Sequence, residues 1–146
     1  MQPKPPVRAF IAIDLPLYVV ETLGSALRSL NSGDVPGLRP VGADSMHVTL
    51  RFLGDVPSDQ LEPIAEAMSR AASFVPPFHL KLGRYGAFPP KGSPRVLWVG
   101  LNGDVAAARQ LHALLQEALT ELGHLPETRP FTPHITLARL ARNAGD

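Results

Sequence analysis

Two stretches decide the reading of this chain: His47-Val48-Thr49-Leu50 and His134-Ile135-Thr136-Leu137. Each is rich in β-branched residues and alternates polar with apolar, which predicts a half-buried strand. Side chains on a strand point to alternate faces. His47 and Thr49 therefore share one face, and Val48 and Leu50 take the other. His134 and Thr136 are set against Ile135 and Leu137 in the same way. Each copy presents an imidazole beside a hydroxyl, above an apolar underside.

The repeat reaches outward from the motifs. The two histidines stand 87 positions apart, at 47 and 134. The same offset carries Arg8-Ala9-Phe10-Ile11-Ala12 onto Arg95-Val96-Leu97-Trp98-Val99, Leu27 onto Leu114 and Leu38 onto Leu125. Each half reads as strand, amphipathic helix, loop and His-x-Thr strand. A matched offset at both ends implies two pseudo-twofold lobes. Such lobes could bring one His-x-Thr pair each to a shared cleft.

Between these landmarks the pattern punctuates itself. Val7 to Ile13 reads as a buried strand, with Asp14 as a helix N-cap and Pro16 in the first turn. Val20, Leu23, Leu27 and Leu30 follow at helical spacing, and Asn31-Ser32-Gly33-Asp34 ends that helix. Leu38 to Val41 is a short strand weakened by Pro40. Met46 to Leu53 is the first His-x-Thr strand, closed by Gly54-Asp55. Ser58 or Asp59 caps a second helix with an inner stripe of Leu61, Ile64, Ala65 and Met68; Pro63 is tolerable there in the first turn. Phe78 to Leu82 alternates as a strand, and Gly83 to Gly92 reads as a loop carrying Arg84, Tyr85, Phe88 and Lys91. Arg95 to Leu101 is a strand. Asp104 caps a third helix that buries Val105, Ala108, Leu111, Leu115, Leu119 and Leu122 and stops at Gly123. Pro130-Phe131-Thr132-Pro133 leads into the second motif strand, which ends near Leu140, before six frayed residues.

The order β-α-β-α-β-β-α-β predicts an α+β fold. It is expected as a single domain over 1–146, bilobal and pseudo-symmetric, with antiparallel or mixed sheets, helices outside and a central cleft bearing both motifs. A chain of 146 residues with 45% apolar content can build a real core. The net charge of +1 gives no general attraction to nucleic acid, so any such grip must be local. The absence of cysteine excludes disulfides, thiol catalysis and cysteine-ligated zinc. Met1 to Pro6 has no apolar signal core, and no run of about 18 apolar residues exists, so a cytoplasmic protein off the membrane is expected. Sixteen prolines cluster between elements, as at Pro76-Pro77 and Pro89-Pro90.

Two imidazoles facing one cleft suit acid–base catalysis. Histidine ordinarily titrates near pKa ~6.5, so one can be neutral while the other is protonated. Two hydroxyls and two imidazoles around a point fit a tetrahedral phosphate with charge on its free oxygens. No metal or cofactor is required, and two histidines with hydroxyls make a poor zinc set.

The chain resembles the two-histidine phosphoesterase superfamily. More narrowly, it is similar to the bacterial and archaeal RNA 2′,3′-cyclic phosphodiesterases, also called 2′-5′ RNA ligases (LigT- or ThpR-like). The likeness is carried by Arg8-Ala9-Phe10-Ile11-Ala12-Ile13, His47 to Gly54, Gly86-Ala87-Phe88-Pro89, Pro94 to Gly100, and Phe131 to Arg139. It implies hydrolysis of a 2′,3′-cyclic phosphate at an RNA end to a 2′-phosphate, and a weak, reversible 2′-5′ joining of RNA ends. One departure stands at Arg39-Pro40-Val41, where the family would place an aromatic, usually Trp. The resemblance implies His134 as proton acceptor, His47 as proton donor, and Thr49 and Thr136 as holders of the non-bridging oxygens; pseudo-symmetry leaves the two histidine roles interchangeable on paper.

Other residues are weaker candidates. Arg51 shares the face of His47 and Thr49 and is a candidate phosphate contact. Phe10 is a candidate for base stacking. Arg129 is a candidate for RNA backbone contact, and Tyr85 for the cleft border. Alternation puts Arg139 on the face away from His134, as a structural ion pair, and Trp98 in the core. His79, His112 and His124 lack a partner motif and read as structural or surface residues. Three rival functions remain at this level: a phosphodiesterase for a small cyclic nucleotide or an ADP-ribose cyclic phosphate, an RNA-end ligase in its principal role, and a non-catalytic RNA-end-binding module. The expected partner is RNA with a 2′,3′-cyclic phosphate end, and the expected state is a monomer.

Overall fold

Proline and glycine set the joints of the chain, and the apolar periods fill the spans between them. The computed structural model describes residues 4–30 and 36–141. Its strands and helices run β1 (Val7–Asp14), α1 (Leu17–Leu30), β2 (Leu38–Pro40), β3 (His47–Val56), α2 (Leu61–Ser73), β4 (Leu80–Phe88), β5 (Val96–Gly103), α3 (Val105–Glu121) and β6 (His134–Leu140). Short 3-10 turns at Ala43–Ser45 and Ser58–Gln60 precede β3 and α2. The fold is α+β with an antiparallel sheet, as the element order implies. The expected turn at Asn31–Asp34 lies outside the described residues.

Pro16 opens α1: its carbonyl accepts from the backbone N–H of Val19 and Val20. This suits a residue whose missing N–H costs nothing at a helix start. Asp104 stands at the N-terminus of α3 but turns its carboxylate elsewhere. Its Oδ2 accepts from the His79 N–H at 2.9 Å, and its own N–H donates to the His79 carbonyl at 2.9 Å. The neighbouring Gly103 has φ +96°, and a Cβ there would fall 2.7 Å from the His79 oxygen. Only glycine allows that close approach.

The chain divides into two compact units that interleave along the sequence. The first comprises Met1–Ala12, Thr49–Leu80 and Gly103–Pro133; the second comprises Ile13–Val48, Lys81–Asn102 and His134–Asp146. Both motif histidines fall in the second unit, and the boundary passes between Val48 and Thr49.

In the first unit β1 lies beside β3, and α2 packs on α3. The helices bury Ile64, Ala67 and Ala71 from α2, and Ala108, Leu115 and Leu119 from α3. The stripe of α2 is thus rotated from the expected one: Ala65 is exposed and Ala67 is inside. Both positions are alanine, so side-chain size could not choose between them, and the contact with α3 does.

In the second unit β6 is the hub. β5 pairs along one side, and the start of β3 and all of β2 pair with β6 as well. β4 flanks β5. The core gathers Leu23 and Leu27 of α1 with Leu38, Met46, Val48, Val99, Ile135, Leu137 and Ala138. Pro40 is admitted because β2 is a three-residue strand that ends there. Arg84 and Tyr85, expected in a loop, lie within β4. Glycine normally weakens a strand, but at Gly86 the space of the absent side chain is filled by the Trp98 ring, 2.3 Å from an ideal Cβ. Among the described residues no helix is long and apolar enough to cross a membrane.

Candidate active site

The pairing of β3 with β6 in the second unit brings the motifs together. The strands are antiparallel and set Val48 against Ile135. That register places His47 opposite Thr136. Directly opposed Cβ atoms lie roughly 4.5–5.5 Å apart, and diagonal ones roughly 7–8 Å. His47 and His134 are such a diagonal pair, close enough to serve one phosphate. Val48 and Ile135 are buried beneath them, at 2% and 0% exposure, whereas His134 is exposed and His47 half-buried. The alternation read from the sequence is therefore realised on both strands. Thr49 is the next residue on the His47 face of β3 and is half-buried.

The pairing of β5 with β6 extends this face. Gly100 stands opposite His134, and Trp98 opposite Thr136. The Trp98 ring, expected in the core, meets the His134 ring edge-on with centroids 6.4 Å apart. A lone tryptophan in an apolar strand carries no sequence signal for this; only its place beside β6 reveals it.

A register shift then occurs between Leu97 and Trp98: Leu97 pairs with Ala138 and Val96 with Arg139, leaving Leu137 as an extra residue on β6. Such a bulge advances the alternation by one. Leu137 and Ala138 are both buried in the core, and Arg139 emerges exposed. On β5 the residues Val96, Trp98 and Gly100 share a face, so their partners Arg139, Thr136 and His134 do too. Arg139 therefore stands with the histidines, and the expectation that places it on the opposite face is corrected. The spare turn is held by the Val41 N–H, which donates to the Leu137 carbonyl at 2.9 Å.

Arg51 is also corrected. It is 7% exposed, and its guanidinium is engaged within the first unit. Nη1 donates to Gln116 Oε1 and Nη2 to the Leu125 carbonyl; Nε lies 3.3 Å from both Glu127 Oε1 and the Phe52 carbonyl. A buried cation needs such partners, and all three of its nitrogens are engaged by them. The Phe52 N–H donates to the same Glu127 oxygen. Arg51 thus fastens the segment that precedes the second motif. Farther along that segment, Phe131 stacks flat on His112 at 4.4 Å. Burial is the main cause holding the His112 imidazole below its ordinary pKa; Arg51 adds to this, and Glu127 opposes it.

Phe52, expected on the apolar face, is 67% exposed and lies 6.2 Å from the 48% exposed Phe10, ring to ring. Arg129 and Tyr85 are exposed, Arg129 in the first unit and Tyr85 in the second. Among the described residues no group of three or more His, Cys, Asp or Glu side chains is placed to hold a metal ion.

Both His-x-Thr strands fall within residues 23–145, which match the family model described as the 2′-5′ RNA ligase superfamily. A Geobacillus stearothermophilus protein named RNA 2′,3′-cyclic phosphodiesterase is 40% identical over 112 residues, 74% of this chain and 35% of that protein. An Escherichia coli protein of the same name is 34% identical over 139 residues, 95% of this chain and 75% of its own length. Among solved structures, a Thermus thermophilus crystal structure matches with TM-score 0.82 and 32% identity, covering 96% of this chain and 78% of the other. Escherichia coli LigT complexed with 3′-AMP matches with TM-score 0.76 and 30% identity, covering 98% and 78%. The chain spans about a third of the Geobacillus relative and 60% of an Aeropyrum pernix one. Its paired His-x-Thr strands, its fold and these matches agree, and the chain belongs to the 2′-5′ RNA ligase superfamily.

Proposed function

We propose that this protein hydrolyses 2′,3′-cyclic phosphates at RNA ends to 2′-phosphates, without metal or cofactor, by acid–base catalysis between two histidines. The observation that carries this reading is the Val48–Ile135 register, which sets His47 across from Thr136 and diagonal to His134 on one face. Relatives named RNA 2′,3′-cyclic phosphodiesterase support the substrate class.

His134 accepts a proton from water as the water oxygen bonds to phosphorus. The bond from phosphorus to O3′ breaks, and His47 gives its proton to O3′. The product carries a 2′-phosphate and a free 3′-hydroxyl. The histidines end with their protonation exchanged, and solvent restores them. Thr49 and Thr136 donate hydroxyl hydrogen bonds to the non-bridging oxygens, where negative charge develops. A 5′-hydroxyl in place of water makes a 2′-5′ linkage by the same bond changes. No energy source drives that step, so joining is reversible.

Within the second unit Tyr85 offers an exposed ring to the rest of the substrate.

The test uses an RNA oligonucleotide ending in a 2′,3′-cyclic phosphate, in EDTA and without added nucleotide. A 2′-phosphate product that disappears with His47→Ala and with His134→Ala is expected. A 3′-phosphate product, or turnover indifferent to both substitutions, would overturn the mechanism.

A further inference from the structure

Two arginines face each other on the histidine face of the second unit. Arg39 of β2 is the direct antiparallel partner of Arg139 of β6. Since Arg139 shares its face with Thr136 and His134, Arg39 does too. Both are exposed. Among the described residues neither has a carboxylate within ion-pair distance. Like charges directly opposite each other destabilise a sheet pair. An anion seated between the two would reverse that repulsion, and two planar forks suit the oxygens of a phosphate.

The pair is also well placed. On β5 the partner of Arg139, Val96, stands two positions from the partner of Thr136, Trp98, a distance of roughly 6.6 Å along the sheet. The arginines therefore begin where the His-x-Thr quartet ends. A phosphate at the quartet leaves them free to take the next charged group along a strand.

We propose that Arg39, with Arg139 opposite, forms a second phosphate subsite that holds the phosphodiester one nucleotide inward from the reacting end. It makes the site selective for oligonucleotides over mononucleotides. The turnover arm of this proposal rests on the proposed hydrolysis; the binding arm does not.

The experiment compares adenosine 2′,3′-cyclic phosphate with the trinucleotide ApApA ending in the same cyclic phosphate. Affinity is measured by competition against a fluorescent oligonucleotide, and kcat/KM by product formation. Arg39→Gln is expected to weaken the trinucleotide about tenfold more than the mononucleotide in both assays. The slope of log affinity against log salt for the trinucleotide should shrink by about 0.7, one phosphate contact on a single strand. Arg39→Lys should recover much of both. Equal losses on the two substrates, or no loss on either, would overturn the subsite. Absence of wild-type turnover would count against the proposed hydrolysis alone, and the binding comparison would still decide for or against Arg39.

Discussion

The Trp98 ring meets the His134 ring with planes inclined at 68° and centroids 6.4 Å apart. Gly86 makes room for it, since an ideal Cβ there would lie 2.3 Å from Trp98 Cζ2. Gly86→Ala must push the indole toward His134 or distort β4. Overpacking of this kind costs about 1–3 kcal/mol, to be read from denaturant unfolding. The double variant Gly86→Ala/Trp98→Leu should regain part of that loss; strict additivity would show that the two sites are uncoupled.

Loss of either motif histidine should leave the fold intact and remove the chemistry. His47→Ala and His134→Ala are each expected to lower turnover by at least ~100-fold. Both side chains lie outside the buried core, so unfolding midpoints should stay close to wild type.

Arg51 should matter for stability. Arg51→Met strips the charged donors from Gln116, the Leu125 carbonyl and Glu127. A loss of about 2–4 kcal/mol is expected, moderated because Glu127 is partly exposed. Arg51→Lys keeps the charge but not the fork, and should recover less than half. Urea unfolding of the three proteins measures this.

Stability should also fall with acid through His112. Its folded pKa lies below the ordinary 6.5, chiefly through burial. Between those values the unfolded chain holds more protons than the folded one, so stability is full above about pH 6.5 and declines as pH drops below it. His112→Phe keeps a ring against Phe131 without the titration. The variant's unfolding midpoint should fall less steeply between about pH 7.5 and pH 5.5 than that of the wild type.

The sequence made the His-x-Thr strands legible because two signals coincide there: period-two alternation over buried Val48 and Ile135, and repetition at a fixed offset. The helices were legible for a similar reason, since Leu23 with Leu27 and Leu115 with Leu119 recur at helical spacing and are the ones buried. What escaped depends on a neighbour that is distant in sequence. Arg51 reads as a face residue until Gln116, Leu125 and Glu127 surround it. Tyr85 reads as loop because Gly83 and Gly86 flank it, and only Trp98 and Asn102 show why glycines sit in a strand. Arg139 reads on the opposite face because Leu137-Ala138-Arg139 carries no mark of a bulge, and the extra residue is visible only against β5.

That bulge gives β6 a reading frame. Deleting Leu137 would leave a shorter and entirely regular strand, hydrophobic enough to fold. It would keep Arg139 on the histidine face, now two places after Thr136 in unbroken alternation, with Ala138 still turned to the core. What it would remove is the Leu137 side chain from the core and the carbonyl that accepts from the Val41 N–H. Straightening the strand without shortening it would do the opposite, turning Arg139 inward and Ala138 out. The separation of three between Thr and Arg is thus compatible with a shared face only because the bulge absorbs the odd residue.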